Sequence, residues 1–138
     1  MKRAVLWDSS AILALLDRDD RNHSTAERVV ARIAGEQRPC LITNYVEAET
    51  HALLLRRLGR TLAREWLLRA CLPVVRARAS EEERARALIA RFADKDWSFC
   101  DAVSFSVMEE RGIRTAFAFD HHFAQVGRHA VLGLDERR

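Results

Sequence analysis

Two prolines and five glycines are all the backbone punctuation that this 138-residue chain contains. No low-complexity segment, internal repeat or flexible linker is visible, so residues 1–138 read as one helix-rich domain with enough chain to bury its own core. No run of eighteen apolar residues occurs, which excludes a membrane-spanning helix. The basic, apolar N-terminus resembles a leader only faintly. Asp8 interrupts its apolar stretch, and no small-residue cleavage site follows before Asp17. Cysteine is scarce and odd in number. Cys40, Cys71 and Cys100 have no metal-ligand or disulfide spacing, so they read as reduced thiols in a cytoplasmic protein. Lysine occurs only at positions 2 and 95, leaving arginine to carry a net charge of +3. That excess is compatible with a polyanionic partner, but a GC-rich genome gives the same bias.

What is present is ordinary globular material, 49% hydrophobic and 31% charged. Short apolar runs at 3–7, 39–43, 72–76, 115–119 and 129–132 have the length of strands. Between them lie helical patterns. One begins at Ser9 or Ser10 and carries Ile12, Leu13, Leu15 and Leu16, and a second runs over 24–35. A third is capped by Asn44 and closed by Gly59, and a fourth spans 61–70. The capping box at 80–83 opens a fifth with Ala85, Leu88, Ile89 and Phe92 inward. Ser98 caps the sixth, which Gly112 ends. Strands alternating with helices predict an α/β fold with a mainly parallel sheet of four to five strands. In such sheets the functional crevice lies beyond the carboxyl ends of the strands.

Four acidic residues fall at that edge. Asp8 and Asp120 follow apolar runs directly, while Glu47 and Asp101 stand in first helical turns. Each has a simpler role open to it. Asp8 and Asp120 suit turns, whereas Glu47 and Asp101 stand three residues after Asn44 and Ser98, as reciprocal capping partners do. Taken together they need another explanation, because two carboxylates ~4 Å apart repel by about 4 kcal/mol at moderate effective dielectric. A cation relieves that repulsion, and an oxygen-only ligand set selects Mg²⁺ or Mn²⁺ over zinc.

The residues around these acids are similar to a known family. Val5-Leu-Trp-Asp8-Ser-Ser-Ala-Ile resembles the opening strand–Asp–helix of PIN domains. Thr43-Asn-Tyr-Val-Glu47, Ser98-Phe-Cys-Asp101-Ala and Ala118-Phe-Asp120-His-His-Phe resemble the three later motifs, in the family's order and over nearly the whole chain. The resemblance implies a three-layer α/β/α sandwich. It also implies a metal-dependent endoribonuclease similar to the VapC-type toxins of type II toxin–antitoxin pairs. By that likeness Asp8, Glu47, Asp101 and Asp120 hold one or two Mg²⁺ or Mn²⁺ ions, which activate the attacking water and stabilise the leaving oxygen. A small antitoxin whose C-terminal segment occupies the site and a homodimeric state belong to the same expectation.

Other residues carry open alternatives. Asp96 is either a solvated turn carboxylate or an outer partner of the metal. Ser9, Thr43 and Ser98 either cap helices or hydrogen-bond the ligands. Arg56, Arg57 and Arg60, with Arg64, form either a solvated face or a track for an RNA backbone. Of the adjacent pair, one of His121 and His122 can reach a substrate phosphate, and His121 is the candidate. Trp66 suits core or dimer packing, and Trp97 is open to base stacking. Glu81–Glu83 read as a solvated face. Aspartyl-phosphate chemistry is disfavoured because Asp8-Ser9-Ser10 lacks a second carboxylate two residues on. A receiver domain is disfavoured because neither lysine follows a late strand. A catalytically inactive PIN module that binds RNA or protein as a scaffold is the non-enzymatic alternative.

Overall fold

The computed structural model describes residues 1–69 and 72–134. Cys71 and the expected end of a helix at Ala70 lie outside the described residues. Twelve elements are arranged as β1 (Val5–Trp7), α1 (Ser9–Leu16), α2 (His23–Gly35), β2 (Cys40–Thr43), α3 (Asn44–Leu58), α4 (Arg60–Arg69), β3 (Val74–Val75), α5 (Ala79–Arg91), α6 (Phe99–Arg111), β4 (Thr115–Ala118), α7 (His122–Val126) and β5 (Ala130–Gly133). The strands form one sheet in the order β3-β2-β1-β4-β5, and every pairing is parallel.

Side-chain alternation along the strands builds the layers. Val5, Trp7, Ile42, Phe117 and Leu132 face α1 and α2, where they pack with Ile12, Ala26, Val29 and Ile33. Leu6, Leu41, Ala116, Ala118 and Val131 face the opposite way, onto Ala85, Ala102, Phe105 and Phe123 of α5, α6 and α7. The result is a three-layer α/β/α sandwich. A satellite cluster of Leu13, Leu54 and Ala63, with Trp66 against it, fixes α3 and α4 to α1. The central strand β1 is fully covered, so its residues are apolar on both faces.

Several local expectations are corrected. Asp8 itself caps α1, in place of Ser9 or Ser10, and Thr43 caps α3 in place of Asn44. Asn44 instead accepts the Ala77 backbone N–H at 2.9 Å through Oδ1, tying the start of α3 to the chain beyond β3. Helix α5 begins two residues earlier than its apparent box, with Glu81 accepting the Arg78 backbone N–H at 2.7 Å. Glu81 is therefore fully buried rather than solvated, and it receives Nε and Nη2 of Arg111 at 2.8 and 2.7 Å. Ile89 is 38% exposed, because Ala85, Leu88 and Phe92 form the inward stripe and Ile89 is turned about 100° from Leu88. Strand β3 is only two residues long, and β4 ends at Ala118, leaving Phe119 between it and Asp120. Gly133 closes β5 at φ +99°, where a Cβ would meet the Ala118 carbonyl at 2.7 Å. Only glycine allows the two strands to approach there.

Candidate functional site

The carboxyl ends of β1 and β4 and the first turns of α1 and α6 meet at one edge of the sheet. Asp8 leaves β1 with 2% of its surface exposed. Its Oδ2 accepts the Ser10 backbone N–H at 3.1 Å and the Ser10 hydroxyl at 2.5 Å. The same Ser10 oxygen accepts the Phe119 N–H at 3.0 Å, so a side-chain relay links the ends of β1 and β4. Burial drives the Asp8 carboxyl up to about 7, and the charges of Asp101 and Glu49 add to the rise. The two hydrogen bonds from Ser10 oppose it only in part.

Asp101 is 5% exposed and shares a reciprocal cap with Ser98. Ser98 Oγ accepts the Asp101 N–H at 3.0 Å, and Asp101 Oδ2 accepts the Ser98 N–H at 3.2 Å. Capping and site membership thus coincide: the cap fixes the carboxylate that faces Asp8. Burial raises the Asp101 carboxyl above its ordinary value, and the nearby charge of Asp120 raises it further, against the pull of Ser98 and His122.

Asp120 is about one-third exposed and accepts the His122 N–H at 2.9 Å, a turn that opens α7. His122 then stands between two acids, its Nδ1 lying 2.9 Å from Asp101 Oδ2 and 3.2 Å from Asp120 Oδ1. His121 is exposed, with its Nδ1 3.7 Å from Asp120. His122 is the histidine that reaches Asp101, while His121 approaches Asp120 alone. The two rings lie 4.5 Å apart, and the turn at Asp120 sets His122 rather than His121 against Asp101.

The acid contributed by α3 is also reassigned. Ser9 Oγ donates to Glu49 Oε1 at 3.1 Å, the Cys100 thiol hydrogen-bonds Glu49, and the Glu49 charge acts on Asp8. Glu47 makes no hydrogen bond or ion pair among the described residues. Two residues turn a helix by about 200°, so Glu47 and Glu49 project from opposite sides of α3. Glu49 is the one directed at α1 and α6. The signal available in the sequence was Thr43, whose hydroxyl accepts the Val46 N–H at 3.0 Å and starts the helix one residue early. Cys100, between Phe99 and Asp101, joins this edge through its hydrogen bond to Glu49. Burial and Glu49 push its thiol far above its ordinary value, so it stays protonated.

The remaining candidates separate clearly. Ser9 joins the cluster through Glu49, while Thr43 and Ser98 are caps, of which only Ser98 holds a site carboxylate. Asp96 is exposed and makes no hydrogen bond or ion pair among the described residues. Arg56, Arg57 and Arg60 are exposed near the far end of α3, about 10 Å along the axis from Glu49. Trp97 is 9% exposed and donates its Nε1–H to Gln125 Oε1 at 2.8 Å.

Among the described residues, no lysine or arginine forms an ion pair with Asp8, Glu49, Asp101 or Asp120. Converging carboxylates, with Asp8 and Asp101 raised by burial and no lysine or arginine paired with them, suit a hard divalent ion. Asp120, His121 and His122 also bring ligand atoms within 4.8 Å of one another. There His122 Nδ1 is already engaged by two carboxylates, so oxygen remains the dominant donor at this edge.

Comparison with known proteins agrees with this geometry. The PIN-domain family model matches residues 5–129. The 23S rRNA-specific endonuclease VapC20 of Mycobacterium tuberculosis is 37% identical over 127 residues, spanning 89% of this chain and 94% of the relative. The crystal structure of VapC20, described as a sarcin-ricin loop cleaving toxin, superposes with a TM-score of 0.77 at 33% identity, covering 90% of this chain and 95% of that one. FitAcB from Neisseria gonorrhoeae shares the fold at 16% identity, with a TM-score of 0.67 and coverage of 93% and 96%. Because the matched segment holds the whole acidic edge and almost the entire sheet, the chain belongs to the PIN-domain family.

Proposed function

We propose that this chain is an endoribonuclease that hydrolyses RNA phosphodiester bonds with a divalent cation, Mg²⁺ or Mn²⁺, held by Asp8, Glu49, Asp101 and Asp120. The observation that carries the reading is Asp8: a buried carboxyl raised to about 7, facing further acids and no basic side chain. The similarity to a 23S rRNA-specific endonuclease supports the same chemistry. When bound, the cation lowers the pKa of water and stabilises charge on the leaving oxygen.

The protein's own residues do the arranging. Ser10 occupies Oδ2 of Asp8, and Ser98 with His122 occupies Oδ2 of Asp101, so each carboxylate is oriented with one oxygen left over. Ser9 steadies Glu49, and His122 holds Asp120 beside Asp101. These outer hydrogen bonds set ligand direction before any ion arrives. At neutral pH Asp8 is about half protonated, so ligation requires it to give up its proton.

The biological setting proposed is that of a toxin in a type II toxin–antitoxin pair, acting in the cytoplasm as a homodimer. A VapBC complex from Salmonella typhimurium shares the fold, and no helix of the described residues is long and apolar enough to cross a membrane. The exposed leucines Leu55, Leu67 and Leu68 on α3 and α4 are apolar surface that a second chain would cover.

The test is RNA cleavage in Mg²⁺ or Mn²⁺ by the wild type, Asp8→Asn and Asp101→Asn. Both substitutions keep an oxygen for the Ser10 or Ser98 hydrogen bonds, so the fold persists. A rate loss of about 100-fold or more is expected. Equal rates in the three proteins would remove the catalytic assignment.

A further inference from the structure

A cavity of about 310 Å³ lies between α5, α6 and the α7–β5 connection. Its walls are apolar and aromatic, with Phe92, Trp97 and Phe105 among them, their ring centroids successively 5.2 Å apart. Its rim is basic. Arg84, Arg91, Lys95 and Arg128 surround the opening; Glu109 is shared between Arg84 and Arg128, and Lys95 lies 3.3 Å from Asp94. At the wall stands His129, whose Nε2 is buried without a hydrogen-bond partner among the described residues. Apolar, aromatic walls beneath a basic rim suit a flat heterocycle carried on an anionic backbone.

The cavity shares its frame with the carboxylates. Trp97 immediately precedes the Ser98–Asp101 cap, and Phe105 lies on the same side of α6 as Asp101, one turn or about 6 Å along the axis. Gln125, which accepts the Trp97 N–H, sits on α7 one turn after His122. Trp97 and Gln125 thus stand within about one helical turn of Asp101 and His122 along the chain.

We infer that this cavity seats an unpaired nucleobase of the RNA strand, next to the nucleotide whose phosphodiester lies at the acidic edge. The inference rests on the ribonuclease reading above and adds to it a second contact that selects single-stranded RNA. Flat heterocycles are bound by aromatic side chains, with a basic rim following the flanking phosphates. His129 closes the wall with its ring stacked on Phe105, 6.4 Å between centroids, and burial lowers its pKa, so this wall carries no charge. Arg91, stacked 5.1 Å from the Phe92 ring, combines rim charge with a planar surface at the mouth.

Two variants test this without touching the carboxylates. Ala87 is exposed on the cavity lining, so Ala87→Trp fills the space, and the double reversal Arg91→Glu/Lys95→Glu inverts the rim. Binding of a short single-stranded RNA is measured with divalent ions chelated, alongside thermal unfolding. Each variant is expected to lose about tenfold in affinity while its unfolding temperature stays near the wild-type value. An RNA carrying 5-iodouridine is expected to crosslink to Phe92 or Trp97.

In Mn²⁺, KM for the RNA is expected to rise about tenfold with kcat unchanged. Hydrolysis of bis(p-nitrophenyl) phosphate, which has no neighbouring base to seat, is expected to be unaffected. Wild-type RNA affinity in both variants, or crosslinks confined to other regions, would overturn the proposal. Loss of binding to a polyglutamate peptide but not to RNA would also overturn it, making the cavity a protein-docking site. Failure of the wild type to hydrolyse either substrate would remove the nuclease reading alone, because the binding loss is read without catalysis.

Discussion

The molecule buries carboxylates in two regions and treats them in opposite ways. Glu81, at the start of α5, is fully buried and receives both arms of Arg111, which hold its carboxyl below its ordinary value. Asp8, at the end of β1, is equally hidden, yet it faces Asp101 and Glu49 and is raised to about 7. Arginine is abundant in the chain, so a shortage of cations does not explain the difference. One region is neutralised from within and acts as a lock between α5 and α6. The other keeps its charge deficit open to something from outside. A buried acid left uncompensated is the physical mark of a site, whereas a compensated one marks a strut.

The contrast is broken most severely at the lock. Arg111→Met strands the Glu81 charge in the interior, and unfolding by urea is expected to show a loss of about 3–5 kcal/mol. Adding Glu81→Gln to that variant should recover most of it. A loss below 1 kcal/mol for the single variant would place Glu81 in contact with water.

At the open edge the sign is reversed. A carboxyl that is harder to ionise when folded favours the folded state at low pH, and that advantage disappears as pH rises from about 4 through about 7. A rise from 3.8 to about 7 corresponds to about 4 kcal/mol as an upper figure. Metal-free Asp8→Asn should therefore be more stable than the wild type at pH 8, by about 2–4 kcal/mol, with the gap narrowing toward pH 4. The comparison is made by urea unfolding of both proteins across that range. A gap independent of pH would mean that Asp8 is ionised at little cost.

The next distinction lies within α3. Glu49→Gln is expected to weaken Mn²⁺ binding by about tenfold, roughly 1.4 kcal/mol, in a calorimetric titration. Glu47→Gln is expected to leave it unchanged, and the reverse outcome would restore Glu47 to the cluster. The smallest effect belongs to the relay. Ser10→Ala removes the hydroxyl between Asp8 and the Phe119 N–H, and a stability loss of about 1 kcal/mol is expected in thermal unfolding.

These same residues show what the sequence could convey. Asp8 and Asp101 were legible because each sits at a junction that local chemistry marks, a strand end or a capped first turn. Strand alternation and helix spacing likewise carried the parallel sandwich. Glu49 was not legible, because choosing it over Glu47 requires the rotational phase of α3 against α1 and α6. That phase is set by the buried stripe Val46, Thr50 and Leu54, which Glu47 and Glu49 flank on opposite sides. His121 and His122 posed the same difficulty across a single peptide bond. Glu81 looked solvated because its partner, Arg111, is thirty residues away in the chain. The cavity beneath Arg91 and Lys95 was invisible for a related reason, since α5, α6 and α7 form it jointly.

The most direct test of an acidic edge reserved for a cation is the proton release that accompanies divalent binding. Mn²⁺ is titrated calorimetrically into the metal-free protein, in buffers of differing ionisation enthalpy, at several values between pH 6 and pH 8.5. A carboxyl raised to about 7 must lose its proton to become a ligand. Release of about half a proton per protein is predicted near pH 7, growing toward pH 6, vanishing toward pH 8.5 and much smaller in Asp8→Asn, where only the raised Asp101 remains. Failure to bind Mn²⁺, or binding with no pH-dependent proton release, would contradict it.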